Sequence, residues 1–270
     1  MSSQDRVRWF DGDPGPLVIE LTGGPGAGKT TLLPHVLQAV VDNGLAPLES
    51  VRAARTLAAR TRPGRAVVRW LGDRNRDRAL WSIYVAYATI LGVRLSAFRP
   101  ELRRVLLAQT RRPREAMVSE RHVVRWFIRH AGTERLFRRF GAAGEVLVVD
   151  EGYVHRVVQL FTSAVERADL EGIRRYLEQV PAPTLLVVVD APANTAWRRI
   201  QSRGIWPRMS GMDETAVAAF VRHASEAVGF ASSCARESGW QVATVDNTSD
   251  GGSLTFDLPG TITTRDASDE

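Results

Sequence analysis

The chain has 270 residues, of which 44% are apolar, and a formal net charge of +6 at neutral pH. This length and composition fit one globular domain with ample core and exclude a chain that is disordered throughout. A single cysteine, Cys234, excludes an internal disulfide and a paired-cysteine zinc site, and no apolar run is long enough to span a bilayer. Because Met1–Pro16 is mostly polar and lacks the apolar core of a signal peptide, we expect a cytoplasmic protein.

The first predicted element is a buried strand, Leu17–Leu21, which runs into a glycine-rich loop. The loop matches the P-loop pattern G-x-x-x-x-G-K-[ST], and a helical repeat of apolar residues follows as far as Asn43-Gly44. Backbone N–H groups and a helix N-terminus hold phosphate oxygens in such a loop. We therefore predict that ATP is bound by Gly23, Gly24, Pro25, Gly26, Ala27, Gly28, Lys29, Thr30 and Thr31. Within this set, Lys29 reaches the β- and γ-phosphates and Thr30 is a ligand of Mg²⁺.

The position of Lys29 strengthens this interpretation. The chain has 36 basic residues, and Lys29 is the only lysine among them. A GC-rich genome would account for the excess of arginine, but it does not explain why the one lysine occupies this position. The ammonium group is a compact point charge, whereas the guanidinium is a larger planar fork that does not replace it there.

Residues 51–144 show helical patterns and no convincing strand. The apolar middle of Arg76–Leu91 predicts a buried helix, and Pro100 and Pro113 are predicted to begin two more helices. Residues 74–141 contain 16 arginines and 5 acidic residues, a net charge of +11. This charge favours an anionic acceptor, an acidic partner or nucleic acid, although a solvated basic face remains an alternative.

A second buried strand, Glu145–Val149, ends at two carboxylates in the manner of a Walker B motif. Asp150 is the predicted Mg²⁺ ligand, and Glu151 is the predicted base or positioning group for the attacking oxygen. Two further strands are predicted at 184–190 and 241–245. Strands that alternate with helices indicate an α/β fold with a parallel sheet flanked by helices, and ligands then gather at the carboxyl ends of the strands.

The segment after the third of these strands is rich in arginine. A helix is predicted over 194–204, in which Arg199 and Arg203 are four residues apart and share a face. Together with Arg208 they form a predicted arginine cluster near the triphosphate. The final residues, 247–270, are rich in Gly, Ser, Thr and Asp and are predicted to form a loose tail.

Four segments, in this order, resemble the P-loop nucleoside and nucleotide kinases, in particular the thymidylate-kinase-like group: GGPGAGKTT, VLVVDEGYVHR, VVVDAPANTAWRRIQSRG and WQVATVD. The resemblance implies one kinase-like domain over 1–246, with 51–144 as an inserted basic helical subdomain that binds the acceptor and 198–212 as a mobile lid. It also implies that Arg199, Arg203 and Arg208 are lid arginines that neutralise the phosphoryl group in transfer.

Two shorter resemblances concern the acceptor. Asp150, Gly152, Tyr153 and Arg156 are similar to a stretched form of the adenylate-kinase motif D-G-F-P-R, which implies that Arg156 contacts the acceptor or its phosphate. The run from Ser119 to His122 is similar to the Glu-Arg-Ser motif of deoxynucleoside kinases. It implies that Arg121 binds the acceptor and makes Glu120 an alternative to Glu151 as the base.

The expected activity is therefore ATP- and Mg²⁺-dependent phosphoryl transfer to a small molecule. The acceptor is a nucleoside, a nucleotide, a sugar or an antibiotic-like alcohol, and the basic segment favours one that carries an anionic group. The alternative is a nucleic-acid-dependent or regulatory NTPase whose basic segment is a binding surface. The five histidines have no metal-ligand spacing, and neither a GTPase N-K-x-D motif nor an L-S-G-G-Q run is present.

Overall fold

The computed structural model describes residues 17–97, 100–110, 120–205 and 211–248. The strands form one five-stranded sheet in the order β2-β3-β1-β4-β5, and every neighbouring pair is parallel. Their bounds are β1 Leu17–Gly23, β2 Ala46–Glu49, β3 Glu145–Val149, β4 Leu185–Asp190 and β5 Val242–Asp246. The predicted α/β class with a parallel sheet is confirmed.

Helices cover both faces of the sheet, as a parallel sheet requires. They are α1 Lys29–Asp42, α2 Ser50–Arg60, α3 Arg62–Trp70, α4 Asp73–Ala97, α5 Pro100–Thr110, α6 Glu120–Phe140, α7 Val157–Phe161, α8 Leu170–Leu177, α9 Ala193–Arg203 and α10 Glu214–Glu237. Alternate strand residues face opposite layers: Ile19 and Val187 pack with α1, whereas Val18 packs with α2, α4 and α6, and Val188 with α10.

Strand β2 was not predicted from the sequence. Its four residues include Pro47, which has no N–H to donate, and they form the edge of the sheet beside β3. Proline is tolerated at a sheet edge because one side of such a strand needs no partner. The short length and the proline together gave no strand pattern in the sequence.

The prediction of a buried helix at 76–91 is correct for the helix and wrong for its burial. Helix α4 buries one face through Leu80, Tyr84 and Ala88, which pack against α6 and the sheet. The opposite face is open, with Trp81 43% exposed and Ile90 54% exposed. Apolar residues around the whole circumference removed the periodic signal that would have separated the two faces.

The predicted ends of three helices agree closely with the structure. Helix α1 ends at Asp42, directly before Asn43-Gly44, α5 begins at Pro100, and α9 lies within one residue of its predicted range. Pro113, Arg208 and the tail beyond residue 248 lie outside the described residues. Among the residues that are described, no helix has the length and apolar character needed to cross a membrane.

Candidate functional site

The P-loop connects the central strand β1 to the first turn of α1. Gly26 and Gly28 have φ angles of 77° and 102°, a region that L side chains rarely adopt. A Cβ on Gly26 would lie 2.5 Å from the carbonyl oxygen of Ala196 in α9, so the loop is packed against its neighbours. These glycines let the backbone curl in front of the N-terminus of α1, where an anion is favoured.

Lys29 lies across this loop. Its Nζ donates hydrogen bonds to the carbonyl oxygens of Gly23 at 2.9 Å and Gly24 at 3.3 Å. Burial lowers the pKa of the Lys29 ammonium from 10.5 to about 8, and the carboxylates of Glu151 and Asp150 act against this lowering. The ammonium is therefore incompletely compensated in the protein alone, and an arriving phosphate would supply the missing negative charge.

The acidic turn follows β3, which is the direct neighbour of β1. Because the two strands are parallel, the P-loop after β1 and the Asp150-Glu151 pair after β3 lie at the same carboxyl edge of the sheet, and both carboxylates raise the pKa of Lys29. Thr30 is exposed and Asp150 is half-buried, and both are accessible to a metal ion. The described residues contain no cluster of three or more metal-ligating side chains. Mg²⁺ commonly binds one or two carboxylates together with nucleotide phosphates, and the oxygen ligands offered by Thr30 and Asp150 fit this coordination.

The carboxyl group of Glu20 in β1 packs against the backbone of the turn that follows β3. It is 2% exposed, and its Oε1 accepts a hydrogen bond of 3.0 Å from the backbone N–H of His155. A Cβ on Gly152 would lie 2.3 Å from Cδ of Glu20, so only glycine fits at that position. Glu20 therefore fixes the chain on the carboxyl side of Asp150 and Glu151.

We expect Glu20 to make stability depend on pH. Burial raises the pKa of its carboxyl group from 4.5 to about 8, against the backbone hydrogen bonds that lower it. The contribution of the Glu20 carboxyl group to the free energy of unfolding is fully present below about pH 4.5 and is lost as the pH rises through about 8. At about 1.4 kcal/mol per pKa unit, the loss amounts to several kcal/mol.

Urea unfolding of the wild type and of Glu20→Gln between pH 5 and pH 9 measures this effect. Glutamine keeps the shape of the protonated acid, so the wild type should lose stability relative to the variant towards alkaline pH. A stability difference that is constant over this range would show that Glu20 does not titrate there.

Arg156 does not face an open acceptor site. It is 3% exposed, and its Nη2 lies 3.0 Å from Oε2 of Glu151. Its Cζ lies 3.3 Å from the ring centroid of Trp126, and Nη1 donates to Gln159. An acceptor would reach the guanidinium only by opening one of these contacts. The predicted acceptor role of Arg156 is therefore not favoured by its surroundings.

The arginines of α9 lie beside the P-loop. Nη2 of Arg199 lies 3.1 Å from the carbonyl oxygen of Asn247 and 3.3 Å from its Oδ1. Asn247 is 8% exposed and donates through Nδ2 to the carbonyl oxygen of Ala27 at 2.6 Å. Arg203 is exposed, and its charge contributes to the lowered pKa of Lys29. The predicted tail thus starts too early at 247, because Asn247 is an anchored part of the domain.

Two other predicted residues lie at the start of α6. The backbone of Glu120 and Arg121 forms the first turn of this helix, and their side chains are not among those described. Their predicted roles as base and acceptor ligand stay predictions. Sequence reasoning missed Glu20 and the anchoring of Asn247. A carboxylate inside an apolar strand was the one available signal, since buried acids are uncommon without a specific partner.

The chain was compared with family models, with curated proteins and with solved structures. No model of a known protein family matches it, and no curated protein matches it. Among solved structures, the crystal structure of TT1252 from Thermus thermophilus is 20% identical, with a TM-score of 0.33, over 87% of this chain and 91% of that chain. This likeness is too weak to support an argument about function.

Proposed function

We propose that this chain is a P-loop kinase that transfers the γ-phosphoryl group of ATP, with Mg²⁺, to a small-molecule acceptor. The observation that carries the proposal is that the P-loop with Lys29 and the Asp150-Glu151 pair follow two neighbouring parallel strands, so that both lie at one edge of the sheet beside the N-terminus of α1. Phosphoryl transfer needs little covalent chemistry from the protein and depends on positioning and charge. This edge of the sheet offers a phosphate cradle, one cation and two carboxylates.

Each residue has a distinct part in this proposal. The P-loop N–H groups and Lys29 bind the phosphates, and Thr30 and Asp150 would hold Mg²⁺, which supplies neutralising charge when bound. An acceptor hydroxyl oxygen forms a bond to the γ-phosphorus while the bond to the β–γ bridging oxygen breaks. ADP leaves, and the hydroxyl proton passes to Glu151. Arg199 and Arg203 lie close enough to the loop to balance charge on the nucleotide.

The α2–α6 segment between β2 and β3 is proposed to form the acceptor side of the site. It is inserted immediately before β3, the strand that Asp150 follows, and its overall charge is strongly positive. An acceptor with an anionic group would be attracted to it. The lid proposed at 198–212 rests on the sequence pattern alone, because 206–210 lie outside the described residues.

Incubation with ATP labelled in the γ-phosphate tests the proposal. The acceptors are nucleosides, nucleoside monophosphates, sugars and aminoglycoside-type alcohols, each with Mg²⁺ and with EDTA. We expect a labelled acceptor that disappears with EDTA. Release of inorganic phosphate alone, stimulated by an oligonucleotide and weakened steeply by salt, would instead support the nucleic-acid-dependent NTPase.

A further inference from the structure

Arg156 connects the acidic turn to a helix of the inserted segment. Its guanidinium contacts Glu151 at 3.0 Å on one side and the ring of Trp126 in α6, with Cζ 3.3 Å from the ring centroid, on the other. The Glu151 side chain is half exposed, whereas that of Arg156 is almost completely enclosed. An exposed carboxylate is thus held by a cation that is itself fixed by packing.

We propose that Arg156 is a positioning residue, which holds the carboxylate of Glu151 at the phosphate site and makes its position depend on α6. The inference rests on the proposed function, because it assigns a role within the same site. It replaces the acceptor contact implied by the sequence resemblance. Trp126 takes part in the same positioning, because its ring fixes the plane of the Arg156 guanidinium.

The surroundings of Arg156 favour one fixed arrangement. Among the described residues its Nε has no hydrogen-bond partner, and the direct contacts of the guanidinium are with Glu151, Gln159 and Trp126. A buried cation that loses its carboxylate is strongly disfavoured, whereas an exposed ion pair opens easily. The ion pair therefore constrains Glu151, which by its own exposure would sample several rotamers.

Helix α6 contacts the turn through more than Trp126. The rings of Trp126 and His130 are stacked with centroids 4.9 Å apart, and His130 meets the ring of Tyr153 edge-on at 4.4 Å. Tyr153 belongs to the turn that carries Glu151 and Arg156. A shift of α6, such as a bound acceptor would impose on the inserted segment, would therefore move the guanidinium and with it the carboxylate.

The planar guanidinium suits this role and an ammonium does not. It stacks on an aromatic face and directs separate N–H groups to two acceptors, Glu151 and Gln159. Lysine at position 156 would keep the charge and lose both the stacking and the fixed geometry. Arg156→Lys therefore tests positioning while it keeps the positive charge.

The experiment is a double-mutant cycle on Arg156→Lys and Glu151→Gln, with hydrolysis of Mg²⁺-ATP as the assay. We expect Arg156→Lys to lower kcat at least 10-fold while the KM for ATP changes less than 3-fold, because Glu151 is displaced and the phosphate cradle is not. In the Glu151→Gln background the same change should have almost no further effect. Equal fold losses in both backgrounds would overturn the proposal.

Two controls sharpen the result. Arg175→Lys, on the exposed side of α8, should leave kcat unchanged. This control measures how much kcat changes when an arginine outside the site is replaced by lysine. Trp126→Phe should reproduce part of the loss, and it too should act only when Glu151 is present. If Arg156→Lys fails to fold, the cycle is completed with Trp126→Phe and decided by the same criterion.

A Lys29→Ala sample separates this inference from the proposed function. If Lys29→Ala hydrolyses ATP as fast as the wild type, the proposed function fails and the inference fails with it. If Lys29→Ala is inactive and the cycle is additive, the site is correct and only the role of Arg156 is wrong.

Discussion

In the Lys29→Ala variant we expect phosphoryl transfer from ATP to fall by at least about 100-fold, the scale seen when one group that stabilises transition-state charge is removed. The fold should remain intact. Within the part of the chain that the structure describes, the ammonium of Lys29 donates hydrogen bonds to the carbonyl oxygens of Gly23 and Gly24, and burial lowers its pKa to about 8, so its charge does not favour folding. Turnover and urea unfolding, measured on the same sample, test both statements.

Lys29→Arg is the matched control for charge. It keeps the positive charge and replaces a compact ammonium by a planar fork in a loop already packed against α9. We expect it to be nearly as inactive as Lys29→Ala. Wild-type turnover in Lys29→Ala would remove the P-loop interpretation, and an active Lys29→Arg would show that charge alone is needed there.

The second large effect is expected for Gly28→Ala. Gly28 has a φ of 102°, and a Cβ there would lie 2.2 Å from Nδ2 of Asn247, the group that donates to the carbonyl oxygen of Ala27. Alanine would strain the backbone and displace Asn247. The displacement of Asn247 would in turn shift the backbone N–H groups of the P-loop. We expect ATP affinity to fall at least about 10-fold and stability by about 2 kcal/mol or more, measured by titration calorimetry and urea unfolding.

Gly44→Ala separates backbone strain from the contact with Asn247. Gly44 also has a positive φ, of 73°, but a Cβ there would meet no atom within 4 Å. This variant should lose about 1 kcal/mol of stability and keep its affinity for ATP. Full ATP affinity in Gly28→Ala, or an equal loss in Gly44→Ala, would contradict the role of Gly28 in the cradle.

Local patterns in the sequence were sufficient for most of the architecture. The strands β1, β3, β4 and β5 are short β-branched runs bounded by polar or glycine residues, and the structure contains all four within one or two residues of the predictions. Strand β2 has too few residues, and Pro47 among them, for such a pattern. It pairs only because β3 lies beside it, a fact of tertiary structure.

Within the candidate site, the sequence indicated where the motifs lie but not what each side chain contacts. The order P-loop, acidic pair and α9 arginines was evident in the sequence because each motif lies within a few consecutive residues. The partner of each side chain was not evident. Arg156 was predicted to face an acceptor, whereas packing encloses it between Glu151 and Trp126. Asn247 was assigned to a loose tail, whereas it is hydrogen-bonded to the P-loop.

The sequence by itself determined the glycine-rich loop, the acidic pair and the parallel α/β sheet, because contiguous residues encode loop conformation and strand or helix periodicity. Only the tertiary structure decided what surrounds them. Glu20 meets His155 across 135 positions and Asn247 meets Ala27 across 220 positions. Such contacts depend on how the layers pack against the sheet, and burial there sets both the pKa of Glu20 and the enclosure of Arg156.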